Sequence, residues 1–219
     1  MNQQESGLSF ERVVFFSDAV FAIVITLLVL EIKPPHIEEL SNGALNTALF
    51  SLLPKFIGFV ISFLITGLMW IEHHRIFRYI KDYDVGLLWR NLLLLLCVSF
   101  VPFPTALFSE YYWSLTAFIL YTASFAAVGV AKLWVWQYAV GKPNLIDADV
   151  DDVTVKRISR RSLAVPLSCV VAILLSLISI RLAPFGFALI PVLAALLDPT
   201  RGKAEKKEIH EIASDETAT

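Results

Sequence analysis

Two charged side chains stand where charge is hardest to keep. Arg12 and Asp18 lie six residues apart at the head of a long apolar run, Asp18 within Phe16-Ser17-Asp18-Ala19-Val20-Phe21. A carboxylate inside a membrane helix costs roughly 2.5–3.5 kcal/mol on insertion scales, so it faces a partner or water. Six helical residues turn through about 600° at 100° each, which points Arg12 and Asp18 in different directions and excludes a pair within one helix. At a similar depth the chain offers Trp70, Glu72, His73, His74, Arg90 and Asn91. We expect an interhelical network joining Ser17 and Asp18 to some of these; the alternative is an Asp18 solvated near the lipid headgroups.

Other reactive residue types form no chemical set. Adjacent helical residues point about 100° apart, so His73 and His74 are not expected to chelate one ion, and no third and fourth ligand accompany them. Cys97 and Cys169 lie in apolar stretches without CxxC spacing and read as buried free thiols. Asp147, Asp149, Asp151 and Asp152 crowd one loop, but the glycine and terminal glutamate of an EF-hand are absent. Collecting cations electrostatically is the role left open to them. No GxxxxGK[ST], GxSxG, HExxH or Gly-rich dinucleotide loop is present. We therefore expect no catalytic residue, no bound metal and no cofactor. There is no TVGYG-like filter loop and no arginine-rich voltage-sensing span.

The elements that hold these residues follow from solvent. Of 219 residues, 57% are hydrophobic and 17% charged, with a mean hydropathy of +0.68; soluble domains are about 45–50% apolar and about a quarter charged. A net charge of −2 carries no basic field for nucleic acid. The apolar residues gather into six blocks near the length of about 20 residues that a bilayer core requires: Phe10 to Ile32, Leu45 to Ile71, Leu87 to Phe108, Trp113 to Lys132, Leu163 to Ile180, and Leu182 to Leu197. The last is short and carries Pro184 and Pro191. Helices are expected throughout, because lipid cannot satisfy an open sheet edge and barrel alternation is absent.

The fold class expected is thus an all-α membrane protein of six transmembrane helices, with residues 1–199 as the membrane domain and 200–219 as a polar tail. The first span lacks a cleavage signature and is expected to stay. Placing the N-terminus in the cytoplasm puts fifteen Lys and Arg inside and only Lys33, Lys55 and Arg181 outside. That is a strong positive-inside bias, with both termini cytoplasmic.

Beyond Asp18 the first helix is apolar except for Thr26. Ile23, Leu27 and Leu30 recur at i, i+4 and i+7 on one face. Spacing alone leaves two readings: lipid contact or helix packing, or a hydrophobic constriction that gates by dewetting.

The motif Arg12-x-x-x-Phe16-Ser17-Asp18 and the following AVFAIxxTLLVLEI stretch resemble prokaryotic relatives of the endolysosomal potassium channel transmembrane protein 175. A looser likeness covers all six spans, including Trp70-x-x-His73-His74 and Asn91. The resemblance implies a homotetramer in the cell membrane around a central pore lined by the first helix. It implies passive, weakly selective potassium permeation without a filter loop, with the lipid bilayer and monovalent cations as partners. Ile23, Leu27 and Leu30 would form the constriction, Ile23 narrowest, with the hydroxyl of Thr26 sharing in ion selection. Arg12, Ser17, Asp18, His73, His74 and Asn91 would form the structural polar network. A secondary transporter is the competing class; the absence of inverted repeats and an unbroken first helix speak against it.

Overall fold

The computed structural model describes residues 3–37 and 41–198, with side chains from Phe10 onward in the first helix. The polar tail lies outside the described residues. The protein is all-α. In chain order the helices are α1 (Gln3–Leu27), continued by a 3-10 turn over Leu28–Glu31, α2 (Asn42–Ser51), α3 (Leu53–Phe77), α4 (Val85–Phe100), α5 (Pro102–Glu110), α6 (Leu115–Val140), α7 (Asp152–Ser162), α8 (Ala164–Ile178) and α9 (Phe185–Leu196).

Five stretches are long and apolar enough to cross a bilayer: Phe10–Glu31, Leu53–Phe77, Val85–Glu110, Leu115–Val140 and Asp152–Ile178. The sixth apolar segment, α9, has 12 residues and reaches only about 18 Å at 1.5 Å per residue. The six segments keep the expected order, but several boundaries are corrected. The second span begins eight residues later than expected, because Pro54 cannot donate a backbone N–H and so opens a new helix rather than continuing α2. Ser41 caps the separate α2 through the Ala44 N–H. The third span breaks at Val101, where Pro102 starts α5. The fourth runs eight residues past Lys132, because that lysine is 2% exposed within the bundle and marks no membrane boundary. The fifth begins at the amphipathic α7, whose polar composition hid it from a hydropathy reading.

A continuous core joins the helices. α6 lies at its centre, packed on α4, α5 and α8, and burying Phe118, Tyr121, Phe125, Val128 and Trp136. α1 packs on α3 and α4, whereas α9 packs on α8 and α7. Two glycines set helix separations. A Cβ at Gly129 would lie 2.8 Å from Cδ of Pro166, and one at Gly186 would collide with Ala172. Gly186→Val is therefore expected to pry α9 from α8 and lower the thermal midpoint in detergent. An Ala188→Val control on the same helix should change it little.

Candidate pore-lining helix and its polar anchor

Helix α1 has two faces of opposite fate. Ser17, Phe21, Val24 and Leu28, at i, i+4, i+7 and i+11, are at most 2% exposed. The other side leaves Phe15, Phe16, Ile23, Leu27 and Leu30 without a covering neighbour, Ile23 at 57% and Leu30 at 66% exposed. Thr26 lies on the same open side and donates its hydroxyl to the Ile23 carbonyl at 2.8 Å. Its oxygen lone pairs therefore remain available while its proton is committed. The open stripe from Ile23 to Leu30 is about 10 Å long at 1.5 Å per residue.

The buried face carries a polar relay across three helices. Trp70 Nε1 of α3 donates to Asp18 Oδ1 at 2.8 Å. Asn91 Nδ2 of α4 donates to Ser17 Oγ at 2.9 Å, and Ser17 passes its own proton to the Val13 carbonyl at 2.9 Å. Asn91 Oδ1 accepts from Nε2 of His73 at 3.1 Å. The His73 ring stacks on Phe77, 4.2 Å between centroids, and tilts against Phe21 at 5.5 Å. Ser17, His73 and Asn91 are buried, so each bond replaces water that the site excludes.

Other expected partners go elsewhere. His74 is exposed and contacts the Trp70 ring at 6.0 Å, outside the relay. Arg12 makes no ion pair among the described residues; it edges a cleft of about 370 Å³ between α1 and α4, together with Phe16, Tyr83 and Asn91. Glu72 turns away from Asp18 and accepts from Arg75 at 2.7 Å and from Arg161 of α7 at 2.9 Å. Arg90 stacks over Tyr138 at 3.7 Å and Trp134 at 4.6 Å. A guanidinium gains from aromatic faces when desolvated, which draws Arg90 to α6 rather than α1. Among the described residues no three His, Cys, Asp or Glu side chains converge as metal ligands. Cys97 and Cys169 are free thiols.

Sequence reasoning missed the ties at the α4 entrance. Asp84 caps α4 through the Leu87 N–H at 2.7 Å and also accepts from Tyr138 of α6 and from Lys142 just beyond its end, at 2.8 and 2.9 Å. The helix-start position of an aspartate before Val85 was the only local signal. The Lys142 hydrogen bond, with help from the Leu87 amide and Tyr138, holds the Asp84 carboxyl down at about 2 against an ordinary 3.8. A lowered acid pKa stabilises above the ordinary value and is lost as pH falls through the folded one. Wild type should therefore be more stable than Asp84→Asn at pH 7, with the gap closing between about pH 3.8 and 2; thermal unfolding across that range checks it.

The acidic loop is partly structural: Asp151 caps α7 through the Thr154 N–H at 2.9 Å, and Asp147 N–H donates to the Tyr79 carbonyl at 3.1 Å.

Residues 12–102 match the family described as the endosomal/lysosomal potassium channel TMEM175. The chain is 38% identical over 184 residues to a potassium channel of Chamaesiphon minutus, covering 83% of this chain and 89% of that one. It is 40% identical over 151 residues to a potassium channel of Streptomyces collinus, covering 67% and 70%. Its fold superposes on the crystal structure of a lysosomal potassium-selective channel TMEM175 homologue from Chamaesiphon minutus with a TM-score of 0.75, at 36% identity, covering 87% of this chain and 98% of that one.

Proposed function

The chain belongs to the TMEM175 potassium channel family, and we propose that it conducts potassium passively through a pore lined by α1 from four copies of itself. The family is one of ion channels, not enzymes. The observation that carries the reading is the division of α1: an apolar stripe at Ile23, Leu27 and Leu30 is left uncovered, while the opposite face is buried. Lipid could cover such a stripe. A soluble-like pairing of the buried face with α3 and α4, however, holds the stripe in one fixed direction, as a pore wall requires.

In this reading Ile23 forms the narrowest ring, with Leu27 and Leu30 completing a constriction that passes ions only when wetted. Thr26, with its proton held by Ile23, presents oxygen lone pairs to a cation between two apolar layers. Selection for potassium over sodium is then weak, because no ring of carbonyls replaces the hydration shell. Ser17, Asp18, His73 and Asn91 fix the rotation of α1, and Arg12 and His74 flank that anchor. The positive-inside bias supports cytoplasmic termini; in this reading the protein sits in the cell membrane, with residues 1–199 as the channel and 200–219 as its cytoplasmic tail.

The test is thiol accessibility in a background lacking Cys97 and Cys169. Cysteine at 23, 26, 27 or 30 should let a small charged thiol reagent abolish potassium flux in liposomes, whereas cysteine at 24 should be inert. Block at 24 with none at 23 or 27 would reverse the assignment of faces and sink the proposal.

A further inference from the structure

A cavity of about 550 Å³ lies away from α1, between α3 and α9. Its walls are hydrocarbon: Ile57 and Ile61 of α3, Phe108 of α5 and Phe187 of α9. This is within the roughly 300–1,000 Å³ range of pockets that enclose organic ligands. Left empty it would forfeit dispersion contacts of these side chains; its polar groups are few, chiefly Ser109, Tyr112 and Tyr121, so most of its wall offers water no partner. In a bilayer the nearest hydrocarbon is a lipid tail, and Ile57 opens the groove to it, being 57% exposed.

The mouth is not hydrocarbon. Trp113, 63% exposed, stands on one rim, the position of an indole at a membrane–water boundary. Arg181, on the connection between α8 and α9, also lines the groove. It is exposed and makes no ion pair among the described residues. Lys55, at the same end of α3, is taken by Glu110 at 2.6 Å; of the residues lining this groove, Arg181 is the cation that no described carboxylate holds. An unpaired guanidinium over an apolar slot suits an amphiphile with an anionic head and a hydrocarbon tail. We propose that a bilayer phospholipid occupies this groove, its acyl chain between α3 and α9 and its phosphate on the guanidinium of Arg181. A guanidinium fork suits two phosphate oxygens. Ile57 and Ile61 belong to the helix that carries Trp70, so the bound lipid touches the element that anchors α1.

Native mass spectrometry of delipidated protein titrated with phosphatidylglycerol, and in parallel with diacylglycerol of the same tails, tests this. Wild type should take up one phosphatidylglycerol per chain about tenfold more tightly than diacylglycerol, the size of one charge-assisted contact. Arg181→Ala should erase the preference, Arg181→Lys should keep part of it, and Ile57→Trp, which fills the groove, should lose both ligands. Both substituted residues are exposed, so the fold is retained. Equal binding by wild type, Arg181→Ala and Ile57→Trp would overturn the proposal. So would a wild type that binds the two lipids alike, and neither result bears on conduction through α1.

Discussion

Replacing Ile23 by asparagine is expected to raise unitary potassium current roughly tenfold and to flatten what discrimination exists between potassium and sodium. An apolar ring resists ions because water leaves it more readily than it stays, and a partly dehydrated cation finds no ligand there. An amide is nearly isosteric in length but brings a carbonyl oxygen and two N–H donors to the same level in each copy. Lowering the barrier by about 1.4 kcal/mol is enough for the tenfold change. Leu30→Asn, two turns further along the same face, should act in the same direction but less, since Ile23 is assigned the narrowest level. Val24→Asn faces the core at 2% exposure. It should damage folding rather than conduction. Single-channel recording of the three variants separates these effects.

Asn91→Leu is expected to be the most destabilising single change at the anchor. The side chain donates to Ser17 and accepts from His73 at once, and leucine of similar volume can do neither. The hydroxyl of Ser17 and Nε2 of His73 would both stay buried without those partners. Each orphaned buried group costs about 1–3 kcal/mol, so a loss on the order of 3 kcal/mol follows, or roughly 6–12 °C in thermal midpoint for a chain of this size. Because α1 would also lose its rotational lock, the variant should show lower or noisier potassium flux even in the fraction that folds. Asp18→Asn keeps an acceptor for Trp70 Nε1 and should be milder. If Asn91→Leu unfolds at the wild-type temperature, the relay is incidental packing.

Much of this was legible in the residues. A carboxylate cannot be inserted cheaply, so Asp18 announced a partner, and Trp70, His73 and Asn91 were among the few polar groups at its depth. The spacing of Ile23, Leu27 and Leu30 marked one face of α1; that Ser17, Phe21, Val24 and Leu28 form a separate buried face depends on how α3 and α4 pack against it. Hydropathy failed where continuity of apolar residues hid a break in the backbone. Leu45 to Ile71 is mostly apolar, yet Pro54 divides it; Val101 and Pro102 divide the next. It also failed where a charge is buried: Lys132 read as a membrane boundary and is instead inside the bundle. Glu72 and Arg90 were sensible partners for Asp18 by depth alone. Their choice of Arg161 and of the Tyr138 ring depends on which way α7 and α6 fold back, which no local pattern encodes. The exposed stripe itself does not name its neighbour, and here the family relationship rather than spacing points to a pore.

The most direct measurement is current across a planar bilayer containing the purified protein, with potassium on one side and sodium on the other. A passive channel should give stepwise currents without any coupling ion, reversing on the potassium side of zero. Electrical silence at all voltages, together with liposome flux that saturates and requires a counter-ion, would contradict the account and make the protein a transporter.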